Sequence, residues 1–217
     1  SNISSINEAF TGKQLEANKK AYEANIADAG DNDETESFSM KRYAKVTRGD
    51  SSVLSIRMYD KANLGTESTI AITGHNFSAY DGSELKLVDI AAEPEKLVSI
   101  CSEDILISTT ENSDYKDILY NEGYTDTIQE LISDGHWYLN DKGLVVAVNP
   151  GEIADALYGS FEFLVSYDTI SSALKPEFLP AEYAGDTGDV AAKLTKDSDT
   201  ASLTLVNDAD SEINSVL

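Results

Sequence analysis

Apolar positions change their spacing several times along the chain, and each change marks a different kind of element. Leu15, Tyr22, Ile26 and Ala29 recur at helical spacing behind Thr11 and Gln14, a pair that fits a capping box, and Gly30 stops the run. This predicts an N-terminal amphipathic helix, followed by an acidic, solvated loop over 28–36. From Phe38 the period moves towards two. Phe38, Met40, Tyr43 and Val46, then Val53, Leu54, Ile56, Met58 and Tyr59, read as strands joined by a turn at Arg48-Gly49-Asp50. Thr69, Ile70, Ile72 and Phe77 continue the pattern, and Asp81-Gly82 is a hairpin signal before Leu85, Leu87 and Val88.

Helical spacing returns at Pro94, a first-turn proline, with Leu97, Val98, Cys101, Ile105 and Leu106 on one stripe. Tyr115, Ile118 and Leu119 begin another helical element, broken near Gly123, and Thr125, Ile128, Leu131 and Ile132 form a third that ends at Asp134-Gly135. Trp137-Tyr138-Leu139, the turn Asn140-Asp141-Lys142-Gly143 and the run Leu144 to Val148 read as two strands, stopped by Asn149-Pro150-Gly151. Phe161, Phe163 and Val165 predict a further strand, and Tyr167 to Leu174 a short helix ended by Lys175-Pro176. Beyond Pro180, Val190 to Leu194 and Ala201 to Val206 form a candidate hairpin among scattered aspartates. The fold expected is α+β, a mostly antiparallel sheet packed against a few helices. Three segments are expected: an N-terminal helix plus strands over 1–65, an α+β domain over 66–180, and an acidic extension over 181–217.

Charge narrows the function. The 217 residues carry 39 Asp plus Glu against 16 Lys plus Arg, a formal net charge of −23. Such a surface repels phosphate backbones and attracts cations or basic proteins, so nucleic acid is not the expected partner. Mean hydropathy is −0.29, and no run approaches the length of a membrane span. Cys101 has no second cysteine to pair with, and its place on the apolar stripe reads as a buried small hydrophobe rather than a nucleophile.

Candidate chemistry is sparse. His75 and His136 belong to no His-Glu-x-x-His motif, and no Gly-x-Ser-x-Gly elbow, phosphate loop or dinucleotide fingerprint occurs. Asp31, Asp33 and Glu36 lack the glycine and terminal glutamate of a calcium loop. No catalytic residue, metal ligand or cofactor is therefore assigned. Glu152 and Asp155 are the least generic acid pair, although a capped helical turn is the favoured account of them. Trp137, Tyr138, Tyr158 and Tyr167 are candidate stacking residues that would serve as core just as well.

The segment from Gly135-His136-Trp137 through Asn149-Pro150-Gly151-Glu152-Ile153-Ala154 to Phe161-Glu162-Phe163 resembles the C-terminal signature of the domain of unknown function 3298 family. Val165-Ser166-Tyr167 and Leu174-Lys175-Pro176-Glu177 continue it, and Asn76-Phe77 with Asp81 to Ile90 resembles the family's entry to its middle helices. The likeness covers about residues 66 to 178, with 1–65 set against the DUF4163-like partner domain that usually precedes it. The chain departs from the pattern at Thr73-Gly74-His75, where a Gly-Gly-Ala-His run is common, and at Gly151, where tyrosine is usual. The family occurs in the ectodomain of a lysozyme-sensing anti-sigma factor and beside the catalytic domain of a peptidoglycan deacetylase. The resemblance implies a non-catalytic binding or sensing domain at the surface of a Gram-positive cell, secreted or held by a leader, lipid or membrane anchor outside the given residues. Its implied partner is a basic protein such as lysozyme, or a cell-wall glycan; the alternative is a cell-wall-associated hydrolase or a deacetylase accessory domain. His75, Glu152, Asp155, Trp137, Tyr138, Tyr158 and Tyr167 are the binding candidates carried forward.

Overall fold

In the computed structural model the described residues are 38–64, 68–120, 123–181, 183, 190–197 and 200–207, with single positions at 20 and 23. The helix expected near the N-terminus and the acidic loop holding Asp31, Asp33 and Glu36 lie outside them. The chain divides into two compact units, Ser1–Phe178 and Leu179–Leu217.

The first unit opens with three long antiparallel strands, β1 (Phe38–Gly49), β2 (Val53–Leu64) and β3 (Ser68–Ser78), in that order across the sheet. Period-two spacing with polar turns specified them correctly. The β1–β2 turn is held by Asp50, whose Oδ1 accepts the backbone N–H groups of Ser52 and Val53 at 2.8 and 3.0 Å. β3 pairs with β2 along its length, so one sheet holds strands from both sides of the segment boundary expected after residue 65.

Four helices follow: α1 (Leu87–Ile90), α2 (Pro94–Glu111), α3 (Ser113–Lys116) and α4 (Tyr124–Asp134). The strand expected over Leu85, Leu87 and Val88 is replaced by α1. Only Glu84 bridges back to Phe77, and the carboxylate of Asp89 accepts the Lys86 N–H at 2.8 Å, which closes a helical turn instead. The element expected to start at Tyr115 is short: past Lys116 the backbone turns to pair with the loop that follows Val148, Leu119 bridging Ala154 and the Tyr120 N–H reaching the Ile153 carbonyl at 2.9 Å. Gly135 closes α4 as read, with φ 92 and the His136 N–H donated to the Leu131 carbonyl at 2.9 Å.

A second antiparallel sheet, β4 (Trp137–Leu139), β5 (Gly143–Val148) and β6 (Phe161–Ser166), has the order β4-β5-β6. Every residue of the central strand β5 is buried, whereas β6 alternates, as expected of an edge strand with one dry face. The helix α5 (Tyr167–Ile170) and two 3-10 turns, Ser171–Ala173 and Pro176–Phe178, close the unit. Its core includes Leu97, Cys101 and Ile105 of α2, Ile128 and Ile132 of α4, Trp137, Leu139, and Tyr167. Burial, with the charge of Asp104 adding to it, pushes the Cys101 thiol up to about 12, which agrees with a packing role. In the second unit β7 (Val190–Asp197) pairs antiparallel with β8 (Thr200–Asn207), the hairpin expected there. The molecule is α+β, and among the described residues no helix is long and apolar enough to cross a membrane.

Candidate functional site

Strand β4 is the seam between the two sheets of the first unit, and side chains from β1, β2 and β3 strap it in place. Asn76 donates Nδ2 to the Trp137 carbonyl at 3.0 Å and accepts from the Ser55 hydroxyl at 2.6 Å; that hydroxyl accepts the Leu139 N–H at 2.8 Å. The Thr47 hydroxyl donates to the Leu139 carbonyl at 2.7 Å. Ser55 and Asn76 are almost fully buried, so these bonds satisfy groups that would otherwise be orphaned.

A cavity opens on each side of this seam. One, about 390 Å³, is lined by Gly74, Asn76, Glu84, Lys86, Asp134 and Trp137 among others. The second, about 290 Å³, is lined by Lys45, Thr47, Arg57, Tyr138, Asn140 and Asp141 together with Val46. Beside the second, Arg57 grips Glu162 with both arms of its fork at 2.5 and 2.7 Å, and the Tyr138 hydroxyl donates to the same carboxylate at 2.7 Å. Burial and the bond to Glu162 raise the Tyr138 phenol well above its ordinary range. Burial pushes Glu162 up, but the bonds from Arg57 and Tyr138 outweigh it and hold the carboxyl below the usual glutamate range. A depressed folded-state value stabilises above the ordinary glutamate pKa and is lost as pH falls through the lowered one. The melting-temperature gap between the wild type and Glu162→Gln is therefore expected to be widest near neutrality and to close below about pH 4, read by circular dichroism melts at stepped pH; a gap independent of pH would contradict the ion pair's role.

The seven binding candidates do not converge. Trp137, 1% exposed, borders the first cavity, and its indole N–H finds no partner among the described residues. His75 lies on β3 with Nδ1 3.3 Å from the Glu84 carboxylate. Tyr138 borders the second cavity. Tyr167 is wholly buried: its hydroxyl donates to the Asn140 carbonyl at 2.9 Å and accepts from Arg48 at 2.7 Å, so it offers no face for stacking and belongs to the core. Glu152, Asp155 and Tyr158 share the loop between β5 and β6. Glu152 accepts the Asn149 N–H at 2.6 Å, Asp155 caps the 3-10 turn Ala156–Tyr158 by accepting from Leu157 at 3.0 Å, and Tyr158 is 46% exposed. Both acids of the pair thus accept backbone N–H groups within their own loop.

Charge is distributed by element, and this was not read from the sequence. Residues 93–134, the span of α2 to α4, hold eleven carboxylates and two lysines, whereas 38–64, the span of β1 and β2, hold six cations and two acids. The signal was present as Lys41-x-Tyr43-x-Lys45 and Arg57-x-Tyr59-x-Lys61, two period-two runs masked by a strongly acidic total.

No protein-family model matches the chain, and no curated protein does. Solved structures do. A DUF3298 family protein from Pseudomonas aeruginosa PAO1 superposes with a TM-score of 0.51 at 16% identity, over 66% of this chain and 65% of that one. A DUF3298 family member from Bacteroides fragilis NCTC 9343 gives 0.52 at 17% identity, over 80% of this chain and 68% of that one. The chain has the DUF3298 fold. At these identities the DUF3298 likeness is one of architecture, and the chain spans only about two thirds of each neighbour's length. It falls on the family whose signature residues 135–163 resemble.

Proposed function

We propose that this chain is a non-catalytic binding or sensing domain acting outside the cytoplasm, and that its helical layer receives a basic protein. The acidity of that layer carries the reading. Of the two lysines among the eleven carboxylates of 93–134, Lys96 is already paired with Glu93 at 3.0 Å. The chain's three arginines are all engaged inside the first unit, Arg42 with Asp60, Arg48 with Asp50 and Arg57 with Glu162. None of them offsets the field of the helices, and a field of one sign steers an oppositely charged partner to the surface. The DUF3298 resemblance supports an exported setting and makes a basic lysozyme the first partner to try.

Calorimetric titration of the chain with a basic lysozyme at low and at about physiological salt tests this. Binding is expected at micromolar or tighter affinity, weaker but still measurable at the higher salt. Reversing two exposed acids of the layer together, Glu103→Lys and Glu130→Lys, is expected to weaken it about tenfold or more. Absence of heat and of complex at both salts would overturn the assignment of this partner.

A further inference from the structure

The β1–β2 ribbon carries charge opposite to that of the molecule as a whole, in a pattern that the fold does not itself resolve. Its two acids are taken up by arginines, Asp60 by Arg42 and Asp50 by Arg48. The strand register then sets the other cations against one another: Lys41 lies opposite Lys61 and Lys45 opposite Arg57, with Tyr43 opposite Tyr59 between them. Residues two apart share a face, so one face of the ribbon runs cation pair, tyrosine pair, cation pair over about 13 Å. The tyrosine ring centres are 6.1 Å apart, and the Arg57 guanidinium lies 5.5 Å from the Tyr59 ring centre. Arg57 has Glu162, but Lys41, Lys45 and Lys61 are exposed and without an ion-pair partner among the described residues. Like charges directly opposite each other destabilise a strand pair. An anionic ligand on this face would relieve that repulsion.

The same face ends at an open edge. Among the described residues β1 is hydrogen-bonded to β2 on one side only, and no side chain bonds to its backbone. The opposite edge of the sheet is treated differently: the Asn149 side chain accepts the Ile72 N–H at 2.7 Å and donates to the Ile72 carbonyl at 3.3 Å, and the Ser160 hydroxyl reaches the Ile70 carbonyl at 3.3 Å. Among the described residues one edge is capped and the other left available, with Tyr43 and Val46 more than half exposed along it. Lysines on an edge discourage pairing with a second copy, because β1 against β1 would set lysine beside lysine. They favour a strand of opposite charge. A long polyanion would outrun the two cation pairs, which no further pair extends at either end, whereas a short extended peptide would not.

We propose that β1 is a docking edge for an extended acidic segment of a partner protein. The segment adds as a fourth strand beside β1, with acidic side chains next to Lys41 and Lys45 and an aromatic or β-branched one next to Tyr43. The recognised pattern is acid-x-aromatic-x-acid, the complement of Lys41-x-Tyr43-x-Lys45. The 290 Å³ cavity lined by Lys45 and Arg57 continues the face past the second acid. This surface is distinct from the acidic helical layer, so the two can succeed or fail separately.

Fluorescence anisotropy with a labelled peptide containing Glu-Thr-Tyr-Thr-Glu, titrated with the full chain, is the test. Saturable binding is expected, weakened at least about tenfold by Lys45→Glu, with slowed deuterium exchange confined to amides around 41–47. Lys45→Glu turns a like-charged couple with Arg57 into an opposite one, so the variant should stay folded, as its melt will show. A flat titration with the wild type, or binding unchanged in Lys45→Glu, overturns the proposal. A dimer of the wild type that dissociates in Lys41→Glu would assign the edge to a second copy instead, and tighter binding of an oligonucleotide or a uronic-acid oligosaccharide than of the peptide would assign the face to a different polyanion.

Discussion

Replacing Gly74 by alanine is expected to lower the melting temperature by roughly 6 to 12 °C. A Cβ at this position would stand 1.9 Å from the Trp137 carbonyl oxygen, 2.4 Å from its carbon and 2.9 Å from the Tyr138 Cβ. The first two are backbone atoms of β4, which no rotamer change can withdraw. Either β3 bulges away or β4 lifts from the first sheet, and in both cases the Asn76 bond to the Trp137 carbonyl and the Ser55 bond to the Leu139 N–H are stretched. Overpacking against fixed backbone with loss of buried hydrogen bonds costs about 3 kcal/mol or more, and each kcal/mol moves the midpoint by about 2 to 4 °C in a domain of this size. Gly49→Ala is the control, since the nearest atoms to its Cβ would be 3.7 and 3.8 Å away, ordinary contact distances. Thermal melts of the two variants side by side read the difference; a Gly74→Ala midpoint close to that of Gly49→Ala would show that β4 does not approach β3 as closely as described.

Gly74 illustrates what a sequence discloses and what it withholds. Turn and cap chemistry is local, so Gly135 after α4 and the Asn140 to Gly143 turn could be read from neighbouring residues. Strands β1 to β6 announced themselves by alternation or by short apolar runs bounded by breakers. The approach of β4 to Gly74 depends on residues more than sixty positions away and leaves no local mark. The same limit explains the miss at 85–88, where alternation suggested a strand but Asp89 could cap the Lys86 N–H and close a turn of helix. Among the binding candidates, residue type identified aromatics without saying which of them faced inwards: Tyr167 went to the core, Tyr158 to a surface turn. The ribbon of lysines and tyrosines needed the register, because only strand pairing shows that Lys41 meets Lys61 rather than an acid.

Arg48→Ala is expected to destabilise the first unit by about 3 to 5 kcal/mol, although this arginine reads in sequence as part of a turn. The bend itself falls at 50–52, whereas Arg48 still belongs to β1 just past a register shift between Val46 and Arg48, and the residue is buried, 8% exposed. Its Nε bonds the Asp50 carboxylate at 2.6 Å, and Nη1 donates to the Tyr167 hydroxyl at 2.7 Å and to the Phe178 carbonyl at 2.6 Å. The guanidinium carbon also lies 5.5 Å from the Tyr167 ring centre. One side chain thus ties the β1–β2 turn to the start of α5 and to the last residue of the unit. Truncation leaves a buried carbonyl and a phenol without their donor and removes the counter-charge of Asp50, and the exposed turn cannot supply a replacement. Lysine keeps the charge but not the fork that reaches three acceptors, so Arg48→Lys should fall between alanine and wild type. Because Arg48 and Tyr167 share one network, Arg48→Ala combined with Tyr167→Phe should cost less than the two changes added separately. Urea unfolding midpoints compare the wild type with all four variants, and deuterium exchange over 171–178 should rise first in Arg48→Ala. A loss below about 1 kcal/mol, the level of an exposed ion pair, would place Arg48 at the surface and remove the tie between the turn and Phe178.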